Sequence, residues 1–220
     1  MSADLIQRLR RLDACSVSDA LDALGMTGAV AGIARRSGGG VVAGRAVTVT
    51  LAAGPAPAGA PKVHLGAHAI EAGDANSVIV VSHPGIDAGG WGGVLTQAAR
   101  LAGIQGVVVD GPLRDVDEAN GLDFPIFARA TTVRTARGRV HEIATNAPVT
   151  IDTVTIAPGD YVISDGSGAV FIAADKAEKV IRTAERIAAK EQLMVEALKS
   201  GKPVSQVLGA DYEDMLEAMQ

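Results

Sequence analysis

The stretch NSVIVVSHPGIDAGGWGGVLTQAARLAGIQGVVVDGPLRDVDEANGLDFPIFARATT, residues 76–132, reads as two consecutive strand–loop–helix units followed by a third strand. Its apolar runs at 78–81 and 107–109 are continuous rather than alternating, as expected of strands covered on both faces. Strands that alternate with helices in this way form parallel sheets. The stretch therefore predicts an α/β fold with parallel core strands.

The N-terminal residues predict two short helices. Leucines at helical spacing favour a helix over residues 3–13. A second helix is expected over residues 16–25, with Ser16 as its N-cap and Asp19 closing a capping box three residues later. We expect these helices to form an N-terminal helical segment over residues 1–25.

The remaining segments change character after the core. An alternating segment rich in Val and Thr predicts a strand over 44–54. Short apolar runs between Pro-Gly and Asp-Gly turns predict antiparallel hairpins over 139–172. An apolar stripe then predicts a long helix from 175 to about 199. We expect one domain over residues 1–220, with a C-terminal helical arm over residues 175–220.

Composition limits the classes of function. The chain has 220 residues, a net charge of -5 and one cysteine. The basic residues form no stripe, so a nucleic-acid partner is not expected. The single Cys15 cannot form an intramolecular disulfide, and we expect it to be a buried or half-buried small residue in a reducing compartment. No apolar run reaches the roughly 18 residues of a membrane span, so we predict a cytoplasmic protein without a membrane partner.

A glycine-rich segment, GGWGGVL at residues 89–95, precedes the first helix of the core. Glycines allow the backbone to approach a ligand closely, and the free N–H groups of a first helical turn bind anions. Val94 and Leu95 would offer such groups. The dinucleotide-binding pattern G-x-G-x-x-G is absent from this segment. A flexible turn without a ligand is the alternative interpretation.

The second candidate site is the charged cluster RDVDE, residues 114–118. Pro112 suits the first position of a helix, which would place Arg114 and Asp115 in the first turn. Arg114 and Glu118 would then share a helix face. Asp110 ends the preceding apolar run. We therefore expect it to lie at the carboxyl edge of the sheet, over the same ligand-binding opening as the glycine-rich segment.

The chemistry of this cluster suits an ion and an anion. Mg²⁺ is typically held by one or two carboxylates with waters and substrate oxygens. Arginine binds a carboxylate through two parallel hydrogen bonds. The alternative is a helix start enriched in acids that suit the helix dipole, each contributing less than about 1 kcal/mol.

Two further sets of residues are weaker candidates. Glu191 falls on the apolar stripe of the last predicted helix, either at its edge or as a carboxylate donated across a subunit boundary. His64 and His68 are four residues apart but lack the HExxH pattern, so a zinc site is not predicted. His83 closes a strand beside the glycine-rich segment and is the histidine most expected to touch a site.

Three segments carry a resemblance to a known family: WGGVLTQAARLAGIQGVVVDGPLRDVDE, FPIFAR and PGDYVISDGSGAVFI. They resemble the RraA-like family, which includes the ribonuclease E inhibitor RraA and the class II 4-hydroxy-4-methyl-2-oxoglutarate aldolases. The family motif is a glycine or aspartate, twenty residues, Arg-Asp, two residues and an acid. Gly93, Arg114, Asp115 and Glu118 match it. Dedicated aldolases carry Asp where this chain has Gly93, a departure that bears on the aldolase substrate more than on decarboxylation.

The resemblance implies roles for individual residues. Asp115 would hold a divalent ion, Mg²⁺ or Mn²⁺, partly through waters. Arg114 would bind the keto oxygen and carboxylate of the substrate. Glu118 and Asp110 would orient the surroundings. The amides of Gly92, Gly93, Val94 and Leu95 would bind the carboxylate of a pyruvyl group.

Asp19 and Glu191 also match family acids. The resemblance implies that Glu191 is donated by a neighbouring subunit, whereas Asp19 is explained equally well by the capping box. It also implies a swivelling α/β/α domain and a homotrimer or hexamer with sites at subunit boundaries.

The activity that the resemblance implies is metal-dependent cleavage of a carbon–carbon bond in a small 2-keto acid, giving pyruvate. The ion would polarise the keto oxygen as a Lewis acid, and Arg114 would stabilise the growing negative charge. A non-catalytic regulator that binds a ribonuclease or another protein is the alternative. A methyltransferase is disfavoured because no G-x-G-x-G pattern follows an early strand.

Overall fold

The structure is a computed structural model that describes residues 2–60 and 63–209. Seven helices and eleven strands lie within these residues. The helices are α1 (Ser2–Leu9), α2 (Ala14–Ala23), α3 (Ala67–Ala72), α4 (Gly93–Leu101), α5 (Val116–Gly121), α6 (Ala177–Lys199) and α7 (Val204–Val207). The strands are β1 (Ala29–Val30), β2 (Ala34–Ser37), β3 (Val42–Ala53), β4 (Ser77–Ser82), β5 (Gly106–Leu113), β6 (Ile126–Thr131), β7 (Val140–Thr145), β8 (Val149–Ile151), β9 (Val154–Ile156), β10 (Tyr161–Ser164) and β11 (Ala169–Ile172).

Nine strands form one mixed sheet. Eight follow the order β1-β11-β10-β3-β4-β5-β6-β2, and the ninth, β7, pairs with the C-terminal half of β3. The four central strands β3, β4, β5 and β6 are mutually parallel. The other pairings in this sheet are antiparallel. The predicted parallel core is therefore confirmed, and so are the hairpins β8–β9 and β10–β11.

One face of the sheet carries the helices. Odd-numbered residues of β3 point to this face, and they belong to two clusters of buried side chains. The first cluster joins β4, β5 and β6 to α3, α4 and α5. The second joins β10 and β11 to α1, α2 and α6. The helices therefore form one layer in two groups, with α4 and α5 over the parallel core.

The opposite face is covered by the small hairpin β8–β9. Val149, Ile151, Val154 and Ile156 pack against inward side chains of the large sheet, and this cluster contains no helix residue within the described part of the chain. Alternate hairpin residues are buried and exposed, as expected when one side of a hairpin covers a core. The α/β class is confirmed. The second face of the sheet is covered by the hairpin β8–β9, whereas the resemblance implied helices on that face.

The N-terminal helices differ from prediction at their ends. α1 ends at Leu9, four residues before the predicted end. Asp13, not Ser16, caps α2: its carboxylate accepts hydrogen bonds from the backbone N–H and the hydroxyl of Ser16. The capping box with Asp19 is therefore wrong, because the N-cap lies three residues earlier and aspartate is as good a cap as serine. Cys15 is exposed on α2, contrary to prediction.

The long C-terminal helix is confirmed. α6 buries Ala177, Val180, Ile181 and Ala184 against α1 and α2, and it ends before Gly201 as predicted. The part of the predicted arm beyond residue 209 lies outside the described residues. The single-domain organisation over residues 1–220 stays a prediction. Among the described residues, no helix has the length and apolar character needed to cross a bilayer.

Candidate active site

The strand before the charged cluster is longer than predicted. β5 continues through Pro112 to Leu113, so Pro112 does not begin a helix. The pairing of β5 with β6 shifts register between Val109 and Pro112. With this irregularity, the strand continues beyond Asp110, where the apolar run ends, and α5 begins only at Val116. The predicted sharing of one helix face by Arg114 and Glu118 is therefore wrong, because Arg114 precedes the helix.

The Asp110 side chain does not share the ligand-binding opening beside the glycine-rich segment, contrary to expectation. Its carboxylate accepts a hydrogen bond from Nε of Arg129, whose Nη2 also binds Asp152 at 2.8 Å in the turn between β8 and β9. Burial raises the pKa of Asp110, and Arg129 opposes part of this rise. Asp110 is thus held in an ion pair that ties the sheet to the hairpin, and its role in orienting the site stays a prediction.

The glycine turn, defined here as residues 89–93, is fastened to the extended end of β5. The N–H of Gly90 donates to the carbonyl of Pro112 at 2.9 Å, and the N–H of Arg114 donates to the carbonyl of Trp91 at 3.1 Å. Trp91 is 1% exposed, and its indole N–H donates to Thr96 at 3.1 Å. The turn and the Arg-Asp pair are therefore held side by side by backbone hydrogen bonds.

Asp115 is the point where the two segments meet. Its Oδ2 accepts a hydrogen bond of 2.9 Å from the N–H of Gly93, and its Oδ1 accepts one of 3.3 Å from Nε of Arg114. Asp115 has φ 61 and ψ 41, a left-handed conformation that aspartate tolerates better than most residues. Such strain concentrates at functional sites. The guanidinium and its adjoining carboxylate therefore converge on the glycine turn.

Glu118 lies directly over Gly93. A Cβ added at Gly93 would lie 2.6 Å from Cδ of Glu118 and would overlap its Oε2. A Cβ at Gly92 would lie 2.9 Å from Oδ2 of Asp115 and 3.1 Å from Cγ of Arg114. The charged side chains thus occupy the space beside both glycines, which makes a merely flexible turn the poorer interpretation.

A cleft of about 580 Å³ opens beside these residues. It is lined by Leu113, Arg114, Asp115, Val116, Asp117, Glu118, Thr131, Thr132 and Val133. Gly92, Gly93, Val94 and Leu95 do not line it; they lie behind Asp115, at the start of α4. Of the predicted binding amides, that of Gly93 is already used by Asp115, while Val94 and Leu95 occupy the first turn, whose N–H groups have no partner within a helix.

The carboxyl end of β6 was missed by sequence reasoning. Thr131, Thr132 and Val133 also line the cleft. The signal was present, because these residues end or follow a strand parallel to β5, and ligands bind outside the carboxyl ends of such strands. Thr132 also accepts the N–H of Arg134 and donates to Asp87, which joins these residues to the loop before the glycine turn.

Asp19 and Glu191 lie elsewhere in the chain. Both are exposed, Asp19 on α2 and Glu191 on α6. α2 and α6 contribute to the second cluster of buried side chains, whereas α4 and α5 contribute to the first. The structure therefore does not bring either acid to Arg114 within one chain. A contribution from Glu191 across a subunit boundary stays a prediction.

The donor set fits a single-carboxylate ion site. Among the residues that the structure describes, no three His, Cys, Asp or Glu side chains gather as a metal cage. Each oxygen of Asp115 accepts one hydrogen bond and retains a lone pair, and the side chain is 36% exposed. Mg²⁺ suits such a site because it keeps several waters and takes one or two carboxylates.

Known proteins resemble the chain over most of its length. DlpA of Legionella pneumophila is 31% identical over 204 residues, which cover 92% of this chain but only 33% of DlpA. A protein of Halalkalibacterium halodurans named "Putative 4-hydroxy-4-methyl-2-oxoglutarate aldolase" is 29% identical over 199 residues, 89% of each chain. The chain thus spans about a third of DlpA and most of the second relative.

Solved structures share the fold. An uncharacterized protein of Pseudomonas syringae pv. tomato is 34% identical and superposes with a TM-score of 0.85 over 94% of this chain and 93% of its own. Streptomyces coelicolor RraAS2, described as an unusual member of the RNase ES inhibitor RraA family, is 25% identical with a TM-score of 0.76 over 86% and 94%. The sequence profile of the RraA-like family (Aldolase/RraA) matches residues 14–171. With the motif residues Gly93, Arg114, Asp115 and Glu118 gathered around one turn, the chain belongs to the RraA-like family.

Proposed function

We propose that the chain is a divalent-metal-dependent lyase that cleaves a carbon–carbon bond of a 2-keto acid to give pyruvate. The reaction would be retro-aldol cleavage of a 4-hydroxy-4-methyl-2-oxoglutarate-type substrate, decarboxylation of oxaloacetate, or both. The observation that carries the proposal is the meeting of Arg114, Asp115 and the N-terminus of α4 beside the cleft. Relatives that carry the aldolase name support the same class of reaction.

Arg114 binds and orients the keto acid in this proposal. Its side chain is 35% exposed at the cleft, so the guanidinium has donors left for a ligand beyond its 3.3 Å contact with Asp115. A planar guanidinium suits the adjacent carboxylate and keto oxygens of a 2-keto acid. As the carbon–carbon bond breaks, negative charge grows on the keto oxygen, and a fixed cation stabilises it.

Asp115 is the residue that would hold Mg²⁺ or Mn²⁺. When bound, such an ion supplies Lewis-acid polarisation of the keto oxygen. The chain's own contribution is to fix the carboxylate, which the Gly93 N–H and Arg114 do from two sides. Glu118, exposed over Gly93, lines the cleft and would hold a proton or a water there. Among the described residues, no lysine lines the cleft, so Schiff-base chemistry has no candidate among them.

The main test is pyruvate release from oxaloacetate with Mg²⁺ or Mn²⁺, measured with and without a chelator. Turnover should exceed that of the free metal and disappear with the chelator. Arg114→Ala should reduce kcat/KM by about 10²–10³, the usual cost of removing one oxyanion donor. Arg100→Ala, at the exposed far end of α4, is the matched control and should retain activity. Turnover no faster than the metal alone would refute the proposal for this substrate.

The role of Asp115 needs a substitution that its backbone accepts. Asparagine tolerates the left-handed region and can still accept the Gly93 N–H, so Asp115→Asn removes charge with little strain. We expect loss of both activity and metal stimulation. Asp123→Asn, at another left-handed aspartate outside the cleft, is the control for strain. An Asp115→Asn enzyme that is still stimulated by metal would remove Asp115 from this role.

A protein-binding regulator is the second candidate function. It is favoured by the resemblance to RraAS2, a member of an RNase-inhibitor family. In that case the Arg114 and Asp115 variants would leave partner binding unchanged, and the wild-type chain would show no turnover above the metal background. Assembly into a trimer or hexamer, with Glu191 reaching a neighbouring site, is part of the lyase proposal and would appear as loss of activity on dilution to monomers.

A further inference from the structure

A buried histidine lies beneath the glycine turn and has no part in the chemistry described above. His83 follows β4 and is 7% exposed. Its ring lies between two glycines: a Cβ at Gly90 would lie 2.9 Å from Cδ2, and a Cβ at Gly111 would lie 2.5 Å from Cγ. Neither glycine has a positive φ. These two positions therefore require glycine because the imidazole occupies the space beside both backbones.

One ring nitrogen is committed to the loop. The backbone N–H of Gly85 donates to Nδ1 of His83 at 3.1 Å. A backbone N–H can only donate, so Nδ1 must be unprotonated and the proton of the neutral ring must lie on Nε2. Nε2 is buried and makes no hydrogen bond of normal geometry with the described residues, although the Ala88 carbonyl is near enough to the ring to affect its pKa. The geometry thus selects one tautomer of the neutral imidazole.

We propose that His83 is a positioning residue for the glycine turn. It holds the start of the 84–92 loop through Gly85 and supports its end beneath Gly90. Gly90 is followed by Trp91, whose carbonyl fixes Arg114, and by Gly92–Gly93, which contact Asp115. A shift of the ring would therefore move the turn against the Arg-Asp pair. Only the consequence for turnover rests on the proposed lyase function; the structural claim does not.

Protonation would break this arrangement. A charged imidazolium carries hydrogens on both nitrogens, so the N–H of Gly85 would face another N–H. Burial lowers the pKa of His83, while the Ala88 carbonyl and the Asp110 carboxylate oppose this effect in part. Among the described residues, Asp110 is itself paired with Arg129, and Asp87 in the loop is paired with Arg134. Val109 and Leu51, which lie beside Gly90 with the ring, carry no charge. The stabilisation is complete above the free-imidazole pKa of about 6.5 and is lost as the pH falls from there through the lowered folded pKa.

The experiment uses readouts that need no substrate. Trp91 is the only tryptophan, so its fluorescence reports on the turn. In the wild type, emission should change as the pH falls from the free-imidazole pKa of about 6.5 through the lowered pKa of His83. ¹⁵N NMR should show Nδ1 unprotonated at pH 7.5. His83→Ala should speed exchange of the Gly85 and Gly93 amides by about tenfold or more, as expected for a lost buried acceptor. His68→Ala, at a histidine 56% exposed, is the control and should leave exchange unchanged.

The conservative variant His83→Asn separates positioning from bulk packing. Its Oδ1 can accept the Gly85 N–H but does not titrate, so protection at Gly85 should return and the acidic change in Trp91 emission should vanish. If the lyase is active, kcat/KM should fall about tenfold in His83→Ala and recover in His83→Asn. Protonated Nδ1 at pH 7.5, unchanged Gly85 exchange in His83→Ala, or an acidic Trp91 transition that persists in His83→Asn would each overturn the proposal. An inactive wild-type protein with these spectroscopic results would refute only the lyase.

Discussion

Gly93→Ala tests whether the close approach of Glu118 to the glycine turn matters for activity. The new Cβ would lie 2.6 Å from Cδ of Glu118, whereas ordinary contact begins at 3.4 Å. The backbone of α4 is fixed by Asp115 and by its packing, so the exposed Glu118 side chain must move by about 1 Å or more. The backbone N–H of residue 93 remains available to Asp115.

The expected effects on activity and stability differ. A misplacement of about 1 Å at a reacting group can reduce the rate about 10²-fold, which corresponds to about 2.7 kcal/mol in the activation free energy. Glycine to alanine within a helix tends to stabilise a protein by about 0.4–1 kcal/mol where the backbone permits it. Glu118 can rotate into solvent, so the free energy of unfolding should change by less than about 1 kcal/mol in either direction.

The assay is kcat/KM for oxaloacetate with urea unfolding on the same samples. Gly121→Ala is the matched control, because a Cβ there meets nothing within 4 Å and the residue lies one turn beyond Glu118 on α5. It should retain activity. In the Glu118→Ala background, adding Gly93→Ala should have no further effect, since the group that it displaces is already gone.

Two outcomes would refute this reasoning. Full activity of Gly93→Ala would mean that the position of the Glu118 carboxylate is irrelevant to turnover. Additive losses in the double variant would mean that the alanine acts on the turn itself rather than through Glu118.

Two further predictions concern stability. Arg8 binds both carboxylate oxygens of Glu185 at 2.8 Å and lowers its pKa, so Arg8→Met should reduce the free energy of unfolding by about 1 kcal/mol at pH 7. The loss of stability should shrink as the pH falls from about 4.5 through the lowered pKa of Glu185. Arg182→Met, at an exposed α6 arginine, is the control, and an equal loss there would contradict the role of the Arg8–Glu185 pair. Ile151 is 0% exposed in the hairpin β8–β9, so Ile151→Ala should cost about 2–5 kcal/mol in urea unfolding. Its exposed neighbour gives the control Thr150→Ala, and comparable losses in the two variants would show that the hairpin is not a core layer.

Local patterns were sufficient for the parallel core and for the position of the glycine turn. Continuous apolar runs at 78–81 and 107–109 can be buried only between two layers, and β4 and β5 are such strands. The predicted helix behind the turn begins at Gly93, and its buried residues Leu95, Thr96 and Ala99 recur at helical spacing. These features depend on residues within a few positions of one another.

The failures at Asp110 and Arg114 share one physical cause. A register shift between Val109 and Pro112 changes the face of the sheet on which each following side chain lies, and no pattern in the sequence indicates the shift. It leaves Asp110 with Arg129 and carries Arg114 to the turn. The α2 start was misplaced for a related reason: Asp13 and Ser16 are both good caps, and packing chooses between them.

By itself, the sequence determined the α/β class through short-range periodicity. Its resemblance to the RraA-like family identified the four motif residues Gly93, Arg114, Asp115 and Glu118. Only the tertiary structure decided that Asp115 accepts the Gly93 N–H, that Glu118 fills the space over Gly93, and that His83 lies beneath the turn. Contacts between segments of different strands depend on register and on left-handed or close-packed backbone, and these properties arise only when the strands are assembled side by side.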